Sequence, residues 1–373
     1  MAGLYIHIPF CHSKCSYCDF YSGLRPSSSE GYVDALIAEL SLRRDEIKEP
    51  IMTIYIGGGT PSVLPVADIA KLVNAIGSTF DTSAVEEFTI EVNPEDVSDS
   101  LLEAYRSIGV NRISMGVQSF DNDMLKAINR RHDAQQALLA IQLLNQQGWN
   151  YSVDLMFGLP GQSLSAWQSD VQRLMAIRPP HFSAYLLSYE PGTRLYAMLQ
   201  SGKVDEASEQ LASAMQEYMS EEARRHGYSH YEISNYALPG FHSRHNSAYW
   251  DMTPYLGIGA SAHSYDGMVR RINPPDLRNY LSALSNGKII AQTDNETVDE
   301  LFNDFIITGL RTAQGLSLPM LRNSFPETFV ADLLADASKL IAAGQLRLSE
   351  QFLAIPEQYW LKSDAIMREL LRV

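Results

Sequence analysis

A chain of 373 residues with a formal charge of −15 can bury one large core and a smaller one, and is too acidic to offer nucleic acid the basic footprint that phosphates require. The opening residues lack the charged and long apolar regions of a secretory signal, and no uninterrupted apolar stretch is long enough to span a bilayer. A cytoplasmic protein is the expectation, with peripheral membrane association left open and nucleic acid excluded as a partner.

The first strand is expected at Leu4–Ile8. Close behind it stand the only three cysteines, Cys11, Cys15 and Cys18, spaced C-x3-C-x2-C. Thiolates this close can converge on one soft metal centre, since a single loop can turn three side chains to one point. A [4Fe–4S] cluster with one iron left open fits three thiolates. Zinc prefers four closed ligands, and only His7 and His12 stand near as a fourth. A disulfide would leave one cysteine over. Zinc and unrelated structural thiols remain the alternatives.

Further strands are expected at Thr53–Gly57, Phe88–Val92, Arg112–Val117, Ser152–Met156 and Phe182–Leu187, separated by helical patterns. In the first helical stretch Tyr32, Val33, Leu36, Ile37 and Leu40 share one face, and Ser100-Leu-Leu-Glu103 reads as a capping box. Six βα units in sequence predict a parallel sheet, doubly wound or closed into a barrel. Period two puts Tyr5, His7, Tyr55, Thr89, Glu91, Ser114, Gln118, Ser152 and Asp154 on one side. Ile6, Ile54, Ile56, Phe88, Ile90, Ile113, Met115, Val117, Val153 and Leu155 fall on the other. A sheet covered on both faces would read apolar throughout. The polar set suits a barrel interior around a polar ligand; a doubly wound sheet with chance alternation is the alternative.

The loop Gly57-Gly-Gly-Thr60-Pro61 follows the second strand, and its glycines let backbone amides approach a ligand while Thr60 offers a hydroxyl. Glu91 faces inward at the end of the third strand, as a ligand contact or one half of an ion pair. Beyond the sixth strand, Glu206–His226 reads as a helix and Tyr228–Ser234 as a strand. The aromatic segment His245-Asn-Ser-Ala-Tyr249-Trp250 then reads as a hydrogen-bonded barrel rim. Tyr255–His263 contains G-x-G without the turn of a dinucleotide site. From Glu296 the pattern changes: helices at Glu300–Arg311 and Phe329–Ala343, a strand pair near Gln345–Ile355 and a last helix at Pro356–Leu371. Three regions are expected: a core over 1–235, a connecting segment over 236–295, and a small, mainly helical, winged-helix-like domain over 296–373 that serves as a lid or docking surface.

The cysteine loop after Tyr5-Ile-His-Ile-Pro-Phe10, together with the glycine loop, resembles the radical S-adenosylmethionine (SAM) superfamily. More narrowly, it resembles the branch of oxygen-independent coproporphyrinogen III oxidases and HemW-type haem chaperones, from Tyr5 to about His263. The resemblance implies a partial (β/α)6 barrel with chemistry at the carboxyl ends of its strands. It implies a [4Fe–4S] cluster on Cys11, Cys15 and Cys18, whose open iron binds the amino and carboxylate groups of SAM and whose reduced form cleaves SAM to a 5′-deoxyadenosyl radical. SAM contacts are implied for Tyr5, Tyr17, Gly58, Gly59, Thr60, Glu91, Gln118, Arg130 and Asp154, with Ser188 a weaker match. Arginine can grip a carboxylate with two hydrogen bonds, and an inward aspartate can accept from hydroxyls.

His245 to Trp250 resembles the HNxxYW signature of the chaperone type. That implies haem contacts from His245, Tyr249 and Trp250, with His242 as an alternative ligand. Two departures separate the chain from the oxidases: Asp19-Phe20 follows Cys18 where they have Gly-Cys, and the first strand begins at residue 4 without their long N-terminal extension. The expected function is therefore a haem chaperone without coproporphyrinogen oxidase activity. It would bind a cluster, SAM and haem, and deliver haem to recipient haemoproteins such as respiratory cytochromes. Radical decarboxylation of coproporphyrinogen III and a purely structural iron–sulfur role are the rivals.

Overall fold

The computed structural model describes residues 1–24 and 30–372. Strands β1 (Ala2–Ile8), β2 (Ile51–Gly58), β3 (Glu87–Val92), β4 (Arg112–Gln118), β5 (Asn150–Phe157) and β6 (His181–Leu186) lie side by side in chain order, all parallel. Each overlaps the stretch expected for it. Helices including Glu30–Leu42, Val66–Thr79, Asp99–Ser107, Ala134–Gln146 and Leu164–Ile177 connect them. Leu36, Leu72, Leu102, Ile141 and Leu174 on those helices pack with Ile6, Ile54, Ile90, Met115 and Val153 on the strands in one continuous core. Each such side chain contributes about 1.5–3 kcal/mol on burial. Because the side-chain period is two, that stripe commits the polar positions to the opposite side. The helix Asp99–Ser107 is capped by Ser98, whose Oγ accepts from the Leu101 amide at 3.3 Å; Ser100 lies inside the helix and is not its cap.

The glycine motif beyond the sixth unit holds a seventh parallel strand, Tyr255–Ile258, paired with the other edge of β1 from Gly3↔Tyr255 to Ile6↔Ile258. Antiparallel strands extend the sheet at both ends. His263–Tyr265, Arg270–Ile272 and Gln292–Asp294 continue beyond Tyr255–Ile258, while Asn235–Ala237 and Ser229–Glu232 continue beyond β6. The result is an open twelve-stranded sheet curled around a polar interior, a partial barrel.

A second core, formed around Phe302, Ile306, Leu310, Leu333 and Trp360, gathers the helices Val298–Leu310, Leu318–Ser324 and Glu327–Ala342 with a three-stranded sheet. The last stretch is a 3-10 turn, Glu357–Lys362, followed by a short helix, Ser363–Arg368, where one helix was expected. Trp360 explains the break: its ring is turned inward and its Nε1 donates to the Ile355 carbonyl at 2.9 Å. No helix among the described residues is long and apolar enough to cross a membrane.

Candidate functional site

Cys11, Cys15 and Cys18 open onto a cavity of about 410 Å³ that runs from the carboxyl ends of the strands into the barrel. Tyr17, Gly58, Gly59, Thr60, Glu91, Gln118, Arg130, Asp154 and Ser188 line the same cavity, as does His12. The glycine loop is held differently from the sequence expectation. The Gly58 amide donates to Glu91 Oε2 at 3.0 Å, Gly59 to the Ile8 carbonyl at 2.8 Å, and Thr60 to the Phe10 carbonyl at 2.8 Å. A Cβ on Gly59 would stand 2.7 Å from the Phe10 carbonyl oxygen, and Gly58 holds φ at +112°. These glycines admit neighbouring protein, clamping the loop onto the approach to the cysteines. With its amides spent, the loop has carbonyl oxygen left to offer.

Hydrogen-bond donors approach two of the sulfurs. Thr60 Oγ1 lies 3.6 Å from Cys11 Sγ, and Arg130 Nη1 lies 3.4 Å from Cys15 Sγ. Burial pushes the Cys11 and Cys18 thiols above their ordinary pKa. A bound cation reverses that cost, because a coordinating thiol is deprotonated outright. Zinc would need its donors about 2–2.3 Å from one point. Among the described residues no three His, Cys, Asp or Glu side chains form a site for one metal ion. A cluster attaches each thiolate to a different iron, so thiols spread around one cavity mouth, with donors to sulfur, fit an iron–sulfur cluster better than zinc.

Two carboxyls face the interior. Glu91 accepts from Tyr55 Oη at 2.7 Å as well as from Gly58. Burial lifts its pKa to about 7, against the pull of the Tyr55 bond and with the help of the Asp154 charge. Asp154 accepts from Ser183 at 2.8 Å and from Ser114 and Ser152 at 3.3 Å. Burial raises its pKa too, opposed by the Ser183 bond and the Arg112 charge.

Arg130 does not hold its fork free for a carboxylate. Its Nη2 is taken by Asn93 Oδ1 at 2.8 Å and by the Gly116 carbonyl, and its Nη1 by Cys15. Gly116 makes room for Arg130 and Gln118, since a Cβ there would stand 3.3 Å from Arg130 Nη2 and 2.9 Å from Gln118 Nε2. Arg112 is a buried guanidinium in the cavity lining with no hydrogen bond among the described residues. It is 2% exposed, and its Nε stands 3.9 Å from Glu87. Arg112 shares strand parity with Ser114 and was legible by period two. His181, also in the lining, shares parity with Ser183 on β6 and was legible by the same rule, whereas Asn246 carries no such signal.

The remaining expected residues lie elsewhere. Tyr5 lines a separate, smaller cavity and bonds to His7 Nδ1 at 2.9 Å. His245 is 2% exposed and stacked on Tyr55; its Nδ1 pairs with Thr53 Oγ1 at 2.8 Å and its Nε2 with Tyr249 Oη at 3.0 Å. Burial drops its pKa to about 3, so the ring is neutral. Tyr249 reaches the smaller cavity, and Trp250 lies under Arg311, 6.0 Å from its ring centroid. His242 stacks on Tyr231 and bonds to Ser229.

A curled parallel sheet with C-x3-C-x2-C thiols behind its first strand and a glycine loop behind its second defines a radical SAM protein. Residues 5–174 match the Radical SAM superfamily, and residues 297–361 match the HemN C-terminal domain. The coproporphyrinogen III oxidase HemN of Escherichia coli, a radical SAM enzyme, superimposes with a TM-score of 0.85 over 99% of this chain and 89% of that one. At 23% identity, that likeness is one of fold. The heme chaperone HemW of Lactococcus lactis subsp. lactis (strain IL1403) is 38% identical over 327 residues, 87% of this chain and 85% of that protein. The heme chaperone HemW of Bacillus subtilis (strain 168) is 35% identical over 322 residues, 85% of each chain. The chain belongs to the HemW family.

Proposed function

We propose that this protein is a haem chaperone of the HemW type. It holds a [4Fe–4S] cluster on Cys11, Cys15 and Cys18, binds SAM in the barrel, and delivers haem to recipient haemoproteins, respiratory cytochromes among them. The cofactor half rests on one observation: three thiols, the glycine loop, Glu91, Gln118 and Asp154 share a single cavity. The haem half rests on relatives named as heme chaperones at 38% and 35% identity over most of both chains.

Free SAM carries an ammonium, a sulfonium, a carboxylate and ribose hydroxyls, and the chain offers acceptors for its amino group and its hydroxyls. Carbonyls of the glycine loop and the Glu91 carboxylate can accept from the N–H groups of the amino nitrogen, and Asp154 and Gln118 suit hydroxyls. Thr60 and Arg130 steady the thiolates. When bound, the cluster supplies an open iron for the amino and carboxylate groups of SAM and an electron for its cleavage. Tyr5, in the other cavity, stands 6.2 Å from Tyr55 between ring centroids. The division into 1–235, 236–295 and 296–373 belongs to the same proposal, supported by the separate C-terminal core, and so does a cytoplasmic location.

Asp19-Phe20 argues against oxidase chemistry, and the Phe20 side chain is 64% exposed beside the cysteine loop. Anaerobic reconstitution tests the reading. About four irons and four sulfides per chain are expected, all lost in Cys15→Ala. Haem should then pass from the purified protein to an apo-haemoprotein, with no conversion of coproporphyrinogen III. Turnover of coproporphyrinogen by the reduced protein with SAM would overturn the chaperone assignment.

A further inference from the structure

Next to the cysteine loop lies a second cavity, of about 300 Å³, walled by Tyr5, His7, Phe20, Tyr249, Tyr255 and His263. Its two histidines differ. His7 is spent, with Nδ1 accepting from Tyr5 Oη and Nε2 donating to the Tyr21 carbonyl, both at 2.9 Å. His263 stands exposed at the rim, and among the described residues neither of its ring nitrogens has a hydrogen-bond partner. Partial burial and the Arg270 charge lower its pKa, so the imidazole keeps a lone pair for a metal.

The backbone goes to some trouble to put His263 there. Gly259 at φ +110° and Ser261 at φ +68° turn the chain back on itself. The carbonyl oxygen of His263 then lies 1.9 Å from where a Cβ on Gly257 would be, so only glycine permits the return. By contrast, His245 would have to abandon Thr53, Tyr249 and its stack on Tyr55 to reach an iron. The HNxxYW segment nevertheless reaches the pocket through Tyr249, set edge-on to Tyr255 with ring centroids 4.7 Å apart.

We propose that haem docks in this aromatic pocket with the His263 imidazole as its axial ligand, Tyr249 and Tyr255 against the ring, and Phe20 over the edge beside the cysteine loop. The assignment rests on the haem-chaperone reading. Aromatic side chains offer a porphyrin a large apolar contact, and neutral imidazole is a common axial ligand of haem iron. A pocket at the small end of the usual ligand range covers only part of a porphyrin, which leaves the rest of the ring accessible to an acceptor protein.

The test uses ferric haem and the full-length protein, with His263→Ala and His245→Ala compared by Soret position, ligand-field bands and affinity. His263→Ala should weaken haem binding at least about tenfold and shift the Soret band, and added free imidazole should restore the band. His245→Ala should lower thermal stability and leave the Soret position of the folded protein unchanged. A His263→Ala protein with wild-type spectrum and affinity would overturn the ligand assignment. So would loss of the imidazole-ligated spectrum in folded His245→Ala alone. Failure of the wild type to bind haem stoichiometrically would instead overturn the chaperone reading on which the assignment stands.

Discussion

Glu91 reaches the cavity with a carboxyl that burial has lifted to about 7, so near neutral pH its charged and protonated forms coexist. On the proposed assignment the N–H groups of the SAM amino nitrogen require the carboxylate anion as their acceptor. SAM affinity should therefore climb as pH rises through the folded pKa, by about eightfold between pH 6 and 7.5 from the ionised fraction alone. Binding below that pKa should release a proton, measurable by calorimetry in buffers of different ionisation enthalpy. Glu91→Gln should flatten the profile and weaken binding by about 1.5–3 kcal/mol, the usual worth of a charged hydrogen bond. A wild-type affinity independent of pH over this range would remove Glu91 from the site. Residues of this kind were legible because strand parity alone sends Glu91, Ser114 and Asp154 inward. The surroundings of His245 were not, because its partners Thr53 and Glu87 stand 192 and 158 residues away in sequence. Nor was the capture of Arg130 by Asn93, Gly116 and Cys15, which depends on how the end of β3, strand β4 and the cysteine loop meet.

At the scale of elements, the glycine loop and the cysteine loop form one clamp. Gly59→Ala would drive a Cβ to within 2.7–2.9 Å of the Phe10 carbonyl, the Ile8 carbonyl and the Phe10 amide, all backbone atoms that cannot swing aside. Overpacking of this sort costs about 1–3 kcal/mol. Since Phe10 leads directly into Cys11, cluster occupancy should fall together with the melting temperature. Gly77→Ala provides the contrast. Gly77 sits in the helix Val66–Thr79, where a Cβ would have only Thr82 Oγ1 nearby at 3.9 Å. That change should stabilise the protein by about 0.5–1 kcal/mol through helix propensity and leave iron content unchanged. Equal iron content in both variants would separate the glycine loop from the cluster. The six barrel strands were readable from sequence because each alternates over five or more residues. The strand Tyr255–Ile258 was not, being four residues long, broken by Gly257 and recognisable only beside β1.

On the scale of the whole molecule, the C-terminal core grips the barrel at an edge. The last strand of the sheet, Ser229–Glu232, would present unpaired backbone groups, a template for wrong pairing. Residues 311–313 cover it: the Ile233 amide donates to the Arg311 carbonyl and the Ala313 amide to the Tyr231 carbonyl, both at 3.0 Å. Side chains reinforce the joint. His230 lies 4.2 Å from the Trp360 ring between centroids, and its Nδ1 pairs with Glu357 at 2.8 Å. The order of C-terminal elements was largely readable from sequence, but this seam was not, since nothing local marks His230 as the partner of a tryptophan 130 positions on. Trp360→Ala should cost the second core about 3–5 kcal/mol, a large share of the stability of an ordinary domain. Hydrogen exchange should then speed up at Ile233, Ala313 and the second-core helices. It should stay slow in β1 to β5, whose ladders do not depend on that edge. Unchanged protection at Ile233 and Ala313 would mean that the edge is held without the second core. A uniform loss reaching β1 would mean that barrel and C-terminal core unfold as one unit, and the cluster should then be lost with them.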